Sequence, residues 1–404
     1  MLIIGSGAAA LSAIKAIRSN EPEVKIRLIT NEDPPFYYRP MIPLIIDGSR
    51  TTEDIKLTFD PVERFDVELV HGTVVTINSD SRTVSLSDSR TLSYEKLLIA
   101  SGSSPVMPEI EGIKGEGVFT LRTIEDALKI RAYCENSPKV AVVGGGFVGI
   151  KVSAALIQKG IKVTIIEQLP FILYPCADRI SAEILSARLK KAGIEIITGE
   201  RVTAICRDKG RVKGLRLSSK KVDADMVIVA AGVKPNAEFL DGSSVRFDRG
   251  ILVDEYLQTS VADVYAAGDV VQYKELITGA TAVGALWCNA PEMGKVAGSN
   301  MSGSKVLYEG LLPAMHASDI EGIAFISVGI IDDESGEYEV YSYRDGENYR
   351  KILFGGERIV GFLLTGDISR AGIFTNLLKN RIPIGGKLKD EAINKTLHYI
   401  RFHK

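Results

Sequence analysis

Short apolar runs punctuated by glycine set the pattern of this chain. The run LII at residues 2–4 meets Gly-Ser-Gly-Ala-Ala-Ala at 5–10; a helical stretch then ends near Arg18, and a second apolar run covers residues 24–30. Strand, tight glycine turn, helix and strand in that order begin a parallel doubly wound sheet. The same pattern returns at 139–167 as VAVV, GGGFVG, a helix through Ala155 and Gln158, and KVTIIE. Between the two units, VELVHGTVVTI, RTVSLS and KLLIAS within 66–100 predict a β meander that returns to a buried strand, and a charged helix is expected over 123–134. After the second unit come a helix around 182–192, the strand EIITG, a hairpin near 208–214 and the apolar strand MVIVAAG. From Lys305 onward the pattern changes to antiparallel-like strands, GIAFISVGI, EYEVYSY, YRKILFG and RIVGFLL, and a helical basic tail.

With 404 residues, 45% of them apolar, the chain is long enough for two or three domains with substantial cores. Lys and Arg total 49 against 51 Asp and Glu, a balance that offers no support for a nucleic-acid scaffold or a membrane-seeking surface. The apolar N-terminus lacks a basic leader and runs into Lys15 and Arg18, so it reads as strand and helix rather than a signal peptide. No stretch reaches about 18 uninterrupted apolar residues, so no membrane span is expected and the cytoplasm is the default location. Cys134, Cys176, Cys206 and Cys288 form no CxxC pair, and His71, His316, His398 and His403 show no ligand spacing. Buried thiols and no metal are the expectation.

The glycine turns carry the chemistry. A dinucleotide turn needs one glycine for the bend, a second to let the backbone approach a pyrophosphate, and a third small residue for helix–strand packing. Gly5, Gly7 and Ala10, with Ala8 and Ala9 between them at the helix start, meet that requirement, and the helix N-terminus then offers unpaired N–H groups to phosphate. Glu32, just past the second strand, is placed to accept from a ribose diol. Gly144, Gly146 and Gly149 repeat the turn, with Glu167 at about the 20-residue spacing of the fingerprint. A carboxylate followed by Gln168 rather than Arg favours NADH over NADPH.

Three further segments resemble the two-dinucleotide-binding-domain flavoproteins, the pyridine nucleotide-disulfide oxidoreductase family. KLLIASGSSP at 96–105, with Ala100, Ser101 and Gly102, is similar to the strand and turn that end the first part of their FAD domain. VIVAAGVKPN at 227–236, with Gly232, resembles the strand closing their NAD domain, and TSVADVYAAGD at 259–269, with Gly268 and Asp269, resembles their second FAD fingerprint. EDPPFYYRP at 32–40, where Tyr37, Arg39 and Pro40 fit, is similar to the rubredoxin-reductase and nitrite-reductase N-terminal branch, as are YRKILFG and RIVGFLLTGD. The resemblance implies an α/β fold with two nested Rossmann-like domains and a small α+β C-terminal domain. It divides the chain into FAD-binding 1–110 and 239–304, NAD(H)-binding 111–238 and C-terminal 305–404.

It also implies bound FAD and NADH, with Val74, Arg122, Val148 and Trp287 as further cofactor contacts. Phe147 stands where relatives carry an aromatic residue that covers the flavin until nicotinamide displaces it; packing behind the glycine turn is the alternative. Lys151 replaces the glutamate of many relatives and is expected either to supply positive charge beside flavin or nicotinamide or to snorkel to solvent. Where disulfide- and peroxide-reducing relatives carry a redox cysteine, this chain has MIPLIIDG, so those chemistries lack a nucleophile. The activity implied is an FAD-dependent NADH oxidoreductase exchanging electrons with a rubredoxin-like or other iron–sulfur carrier protein. An NADH oxidase using oxygen, and an FAD subunit of a 2-oxoacid:acceptor oxidoreductase, are the alternatives. A homodimer or membership of a complex is left open, and the basic run at 379–404 is either a carrier-steering surface or a solvated helix end.

Overall fold

Three consecutive apolar residues can be buried on both faces only in the middle of a covered sheet, and Leu2–Ile4 is the central strand of one. The computed structural model describes residues 1–312, 314–333 and 336–393. The helices that bear on function are α1 (Ala8–Asn20), α2 (Phe147–Gln158), α3 (Arg179–Lys191), α4 (Asn289–Met301) and α5 (Ala371–Lys379). The chain divides into two compact units, one of Met1–Met107, Thr120–Arg131 and Ala231–Leu312, the other of Pro108–Phe119, Ala132–Ala230 and Pro313–Lys404.

In the first unit the parallel sheet runs Val264–Ala266, Leu97–Ile99, Leu2–Ile4, Ile26–Thr30 and Val67–His71. The chain leaves Leu2–Ile4 toward Ile26–Thr30 on one side, while Leu97–Ile99 flanks it on the other, so a topological switch point lies at its carboxyl end. Ile14, Ile17, Leu28, Leu97 and Ile99 build a core with almost no exposed surface. The expected meander is corrected in one respect. VELVH joins the parallel sheet beside Ile26–Thr30, and only Val74–Asn78, Thr83–Leu86 and Thr91–Ser93 form the antiparallel meander. Gly72 and Thr73 break the apolar run, so a single periodic segment serves two sheets.

The second unit repeats the architecture with Glu195–Thr198, Lys162–Glu167, Lys139–Val143 and Met226–Val229 side by side and parallel. It also contains a five-stranded antiparallel sheet in the order Met315–Ile320, Ile323–Gly329, Arg358–Thr365, Asn348–Gly355, Glu339–Asp345. α5 packs on this sheet, with Phe374 edge-on to Phe362 at 5.5 Å. Met315–Ile320 is absent from the sequence expectation: MHASDI mixes polar and small residues, and its half-exposed positions leave no alternating signal. Among the described residues no helix is long and apolar enough to cross a membrane.

Candidate active site

The carboxyl edge of the first parallel sheet brings together the glycine turn after residue 4, the Ala100–Ser101–Gly102 turn after Leu97–Ile99, and Gly268–Asp269 after Val264–Ala266. Gly5 has φ +97°, and a Cβ there would lie 2.3 Å from the Ala100 carbonyl oxygen, so both the conformation and the approach demand glycine. Gly7 starts α1 with extended backbone and no side-chain cap, and a Cβ at this position meets nothing within 4 Å. The first-turn N–H groups of Ala8, Ala9 and Ala10 are thus free to face a ligand across open space. α4 closes on α1 without side chains between them: a Cβ on Gly294 would sit 2.0 Å from the Ala9 carbonyl oxygen.

A polar chain ties these turns together. Arg39 Nη2 meets Glu32 Oε1 at 2.5 Å, and Tyr37 donates its hydroxyl proton to the other Glu32 oxygen. Arg39 Nη1 donates to the Tyr37 hydroxyl at 2.8 Å and to the Arg122 carbonyl at 3.2 Å. Arg122 Nη2 pairs in turn with Asp269 Oδ2 at 2.9 Å, the oxygen that also accepts from Ser103 Oγ at 2.8 Å. Burial would lower the Arg39 pKa, but the adjoining Glu32 carboxylate outweighs it and holds it above its ordinary value. Burial pushes the Tyr37 phenol up, so it stays protonated as a donor. Glu32, Arg39, Arg122 and Asp269, all expected cofactor contacts, form this one network; Tyr37 and Ser103 complete it and were not singled out as contacts. Pro40 is the second residue of the short helix that Arg39 opens, and Val74 begins the meander. Gly232 has φ +101° with open space around it. Trp287 is 44% exposed just ahead of α4.

In the second unit Gly144 has φ +114°, and a Cβ on Gly149 would lie 2.1 Å from the Gly144 carbonyl oxygen. Gly146 starts α2 with extended backbone and, like Gly7, open space. Glu167 ends Lys162–Glu167 beside this turn, accepting from Gly145 N at 2.7 Å and Leu169 N at 2.8 Å. Val148 lies exposed in the first turn of α2. These two cradles fit adenine dinucleotides: each pairs an uncapped helix start and Cβ-free space with a carboxylate one strand away.

The pyridine nucleotide-disulphide oxidoreductase profile matches residues 1–291. The chain belongs to that family. A rubredoxin NAD+ reductase C-terminal domain matches residues 319–382. The chain is 31% identical over 386 residues to the NADH-dependent phenylglyoxylate dehydrogenase subunit epsilon of Aromatoleum evansii, covering 94% of this chain and 91% of the relative. It is 30% identical to the assimilatory nitrate reductase electron transfer subunit of Bacillus subtilis over 94% of its own length, but spans only 49% of that relative. The solved NADH:rubredoxin oxidoreductase of Clostridium acetobutylicum superimposes with a TM-score of 0.78 at 27% identity, covering 98% of each chain. This membership makes the chain an FAD-dependent NAD(P)H oxidoreductase, in keeping with the two cradles.

Two expected residues of this family site stand against the antiparallel sheet of their own unit. Phe147, the first residue of α2, stacks on His316 with ring centroids 5.0 Å apart and planes at 14°, and leans on buried Phe325 at 5.9 Å. Lys151, one turn further along, donates from Nζ to the Asp319 carbonyl at 2.5 Å. Burial lowers the His316 pKa. Sequence reasoning assigned His316 no role; only the pairing of Met315–Ile320 with Ile323–Gly329 brings it over Phe147. Among the described residues no group of His, Cys, Asp and Glu could hold a metal. The four cysteines form no disulfide, and burial pushes Cys134 and Cys176 up to about 11. His398, His403 and the basic residues Lys395, Arg401 and Lys404 lie outside the described residues, while Lys389 pairs with Glu339 at 2.8 Å.

Proposed function

We propose that this chain oxidises NADH and passes the electrons to a small iron–sulfur carrier protein of the rubredoxin kind in the cytoplasm. The observation that carries the reading is the pair of uncapped helix starts, Gly7–α1 and Gly146–α2, each with its acid, in a chain that matches a rubredoxin NAD+ reductase C-terminal domain. Bound FAD supplies the conversion between a two-electron donor and a one-electron acceptor. The chain's own residues bind and orient. The start of α1 faces the pyrophosphate of FAD, Glu32 lies at its ribose, and Asp269 is fixed at the sheet edge by Arg122 and Ser103. The start of α2 and Glu167 hold NADH, whose free 2′-hydroxyl the carboxylate accepts from and whose 2′-phosphorylated analogue it repels. Phe147 screens the nicotinamide position, and Lys151 provides positive charge one turn along the same helix. Residues 41–48, MIPLIIDG, contain no thiol, so reduction of disulfides or peroxides has no nucleophile there.

The match to nearly the whole of a named dehydrogenase subunit favours a second reading, in which the chain is the FAD subunit of a larger oxidoreductase, and a homodimer is the simplest alternative assembly. One experiment addresses these readings. Anaerobic mixing of the yellow protein with NADH should bleach the flavin band, and added rubredoxin should restore it faster than air does. A protein that takes up no flavin or ignores NADH sinks the proposal. Faster recovery in air points to an oxidase, and co-purifying iron–sulfur subunits point to the complex.

A further inference from the structure

The helix that starts the second glycine-turned cradle is fastened to the antiparallel sheet of its own unit along one strand. Met315–Ile320 pairs with Ile323–Gly329 through a two-residue turn in which Glu321 and Gly322 both have positive φ, and the Asp319 carboxylate accepts from Gly322 N at 2.9 Å. Lys151 Nζ of α2 donates to the Asp319 carbonyl, and Arg188 Nε of α3 donates to the Glu321 carbonyl at 2.6 Å. Side chains alternate along a strand, and here exposed Ala317 and Asp319 alternate with half-buried His316 and buried Ile320. The His316 imidazole is therefore turned inward by backbone that two helices hold in place.

Phe147 meets that imidazole face to face. The ring centroids lie 5.0 Å apart with 14° between the planes, whereas fully buried Phe325 lies 5.9 Å from Phe147 at a tilt of 47°. A buried phenylalanine alone supplies the apolar contact that packing needs; the near-parallel histidine adds an orientation, because a flat face limits how the ring opposite can turn. Burial lowers the His316 pKa, which keeps its ring uncharged at neutral pH. Phe147 is the first residue of α2, directly after Gly146, and it is only half-buried, so part of its ring stays open beside the uncapped helix start.

We propose that His316 is a positioning residue for the nicotinamide of NADH: stacked on the back of Phe147, it fixes the open face of that ring, against which the nicotinamide lies. The inference rests on the reading above in which α2 holds NADH and Phe147 stands at the nicotinamide position. Phe147 touches the nucleotide, and His316 acts only through Phe147. A ring left free to turn has to be ordered when NADH binds, which weakens binding of the nicotinamide half alone.

The test compares two nucleotides on the FAD-loaded chain. Tetrahydro-NADH carries a reduced ring but cannot give up a hydride, and ADP-ribose lacks the ring altogether; calorimetry gives a Kd for each. His316→Leu keeps bulk but loses the flat face, and should weaken tetrahydro-NADH binding roughly three- to tenfold, the worth of one ring pair, with ADP-ribose unchanged. His316→Phe restores a face and should bind both nucleotides within about twofold of the parent. Equal Kd values for tetrahydro-NADH in the parent and both variants overturn the proposal, and so does a loss shared with ADP-ribose, which marks damage to the cradle instead. A parent that binds neither nucleotide sinks the NADH reading and this inference with it; a parent that binds both while the variants are indifferent sinks this inference alone. Should His316→Leu fail to fold, His316→Gln, which also lacks a ring face, decides on the same two dissociation constants.

Discussion

At Glu167 both carboxylate oxygens already accept backbone N–H groups, from Gly145 in the glycine turn and from Leu169 beyond the strand. The residue proposed to select the ribose therefore also shapes the turn proposed to hold the pyrophosphate. Glu167→Gln keeps the size but has one acceptor oxygen and no charge. Steady-state kinetics should show KM for NADH rising roughly tenfold with kcat little changed, and a higher ratio of NADPH to NADH use. An unchanged KM would remove Glu167 from nucleotide selection. His316 gives a second expectation, this time in pH. Burial against Phe147 holds its pKa below 6.5, so on acidification the unfolded chain binds the proton first. The contribution is complete above about pH 6.5 and is lost as pH falls toward the folded-state value. His316→Phe keeps a ring on Phe147 and cannot titrate. Its urea midpoint should decline less than the parent's between about pH 6.5 and 5, and parallel declines would refute the assignment.

Between elements the governing feature is close backbone approach. α1 and α4 meet through Gly294 and Gly298, where a Cβ would fall 2.0 Å from the Ala9 carbonyl oxygen and 2.5 Å from that of Ala13. A side chain there must separate the helices, and α1 is the helix whose start is proposed to face the pyrophosphate. Gly294→Ala should cost about 1–3 kcal/mol or more in denaturant unfolding and release FAD on gel filtration. Gly372→Ala, in α5 with nothing within 4 Å of the new methyl, should be neutral or stabilising by about 0.5–1 kcal/mol. Equal behaviour of the two variants would mean that helix contact is not what holds the flavin. The Asp178 carboxylate acts at the same scale. It caps α3 through Ser181 N at 3.0 Å and accepts from Tyr349 at 2.7 Å, with Lys351 3.6 Å away, which fastens the helix to the antiparallel sheet of its unit.

Across the whole molecule each glycine turn and its acid lie within a single compact unit, which is why turn and acid form a local pattern in the sequence. Glycine at 5, 144 and 149 is dictated by positive φ or close backbone approach within a few residues, and short-range geometry is what spacing records. Sequence also showed that strand, glycine turn, helix and strand follow one another twice along the chain, and that MIPLIIDG holds no cysteine. Tertiary structure alone decided that Arg39 reaches the carbonyl of Arg122, that Arg122 reaches Asp269, and that His316 lies over Phe147. These partners stand 83, 147 and 169 positions apart, the last being 316 minus 147, and no periodicity links residues so distant. They meet because sheets bring separate strand ends to one edge, and that placement depends on pairing between strands rather than on the residues within any one of them.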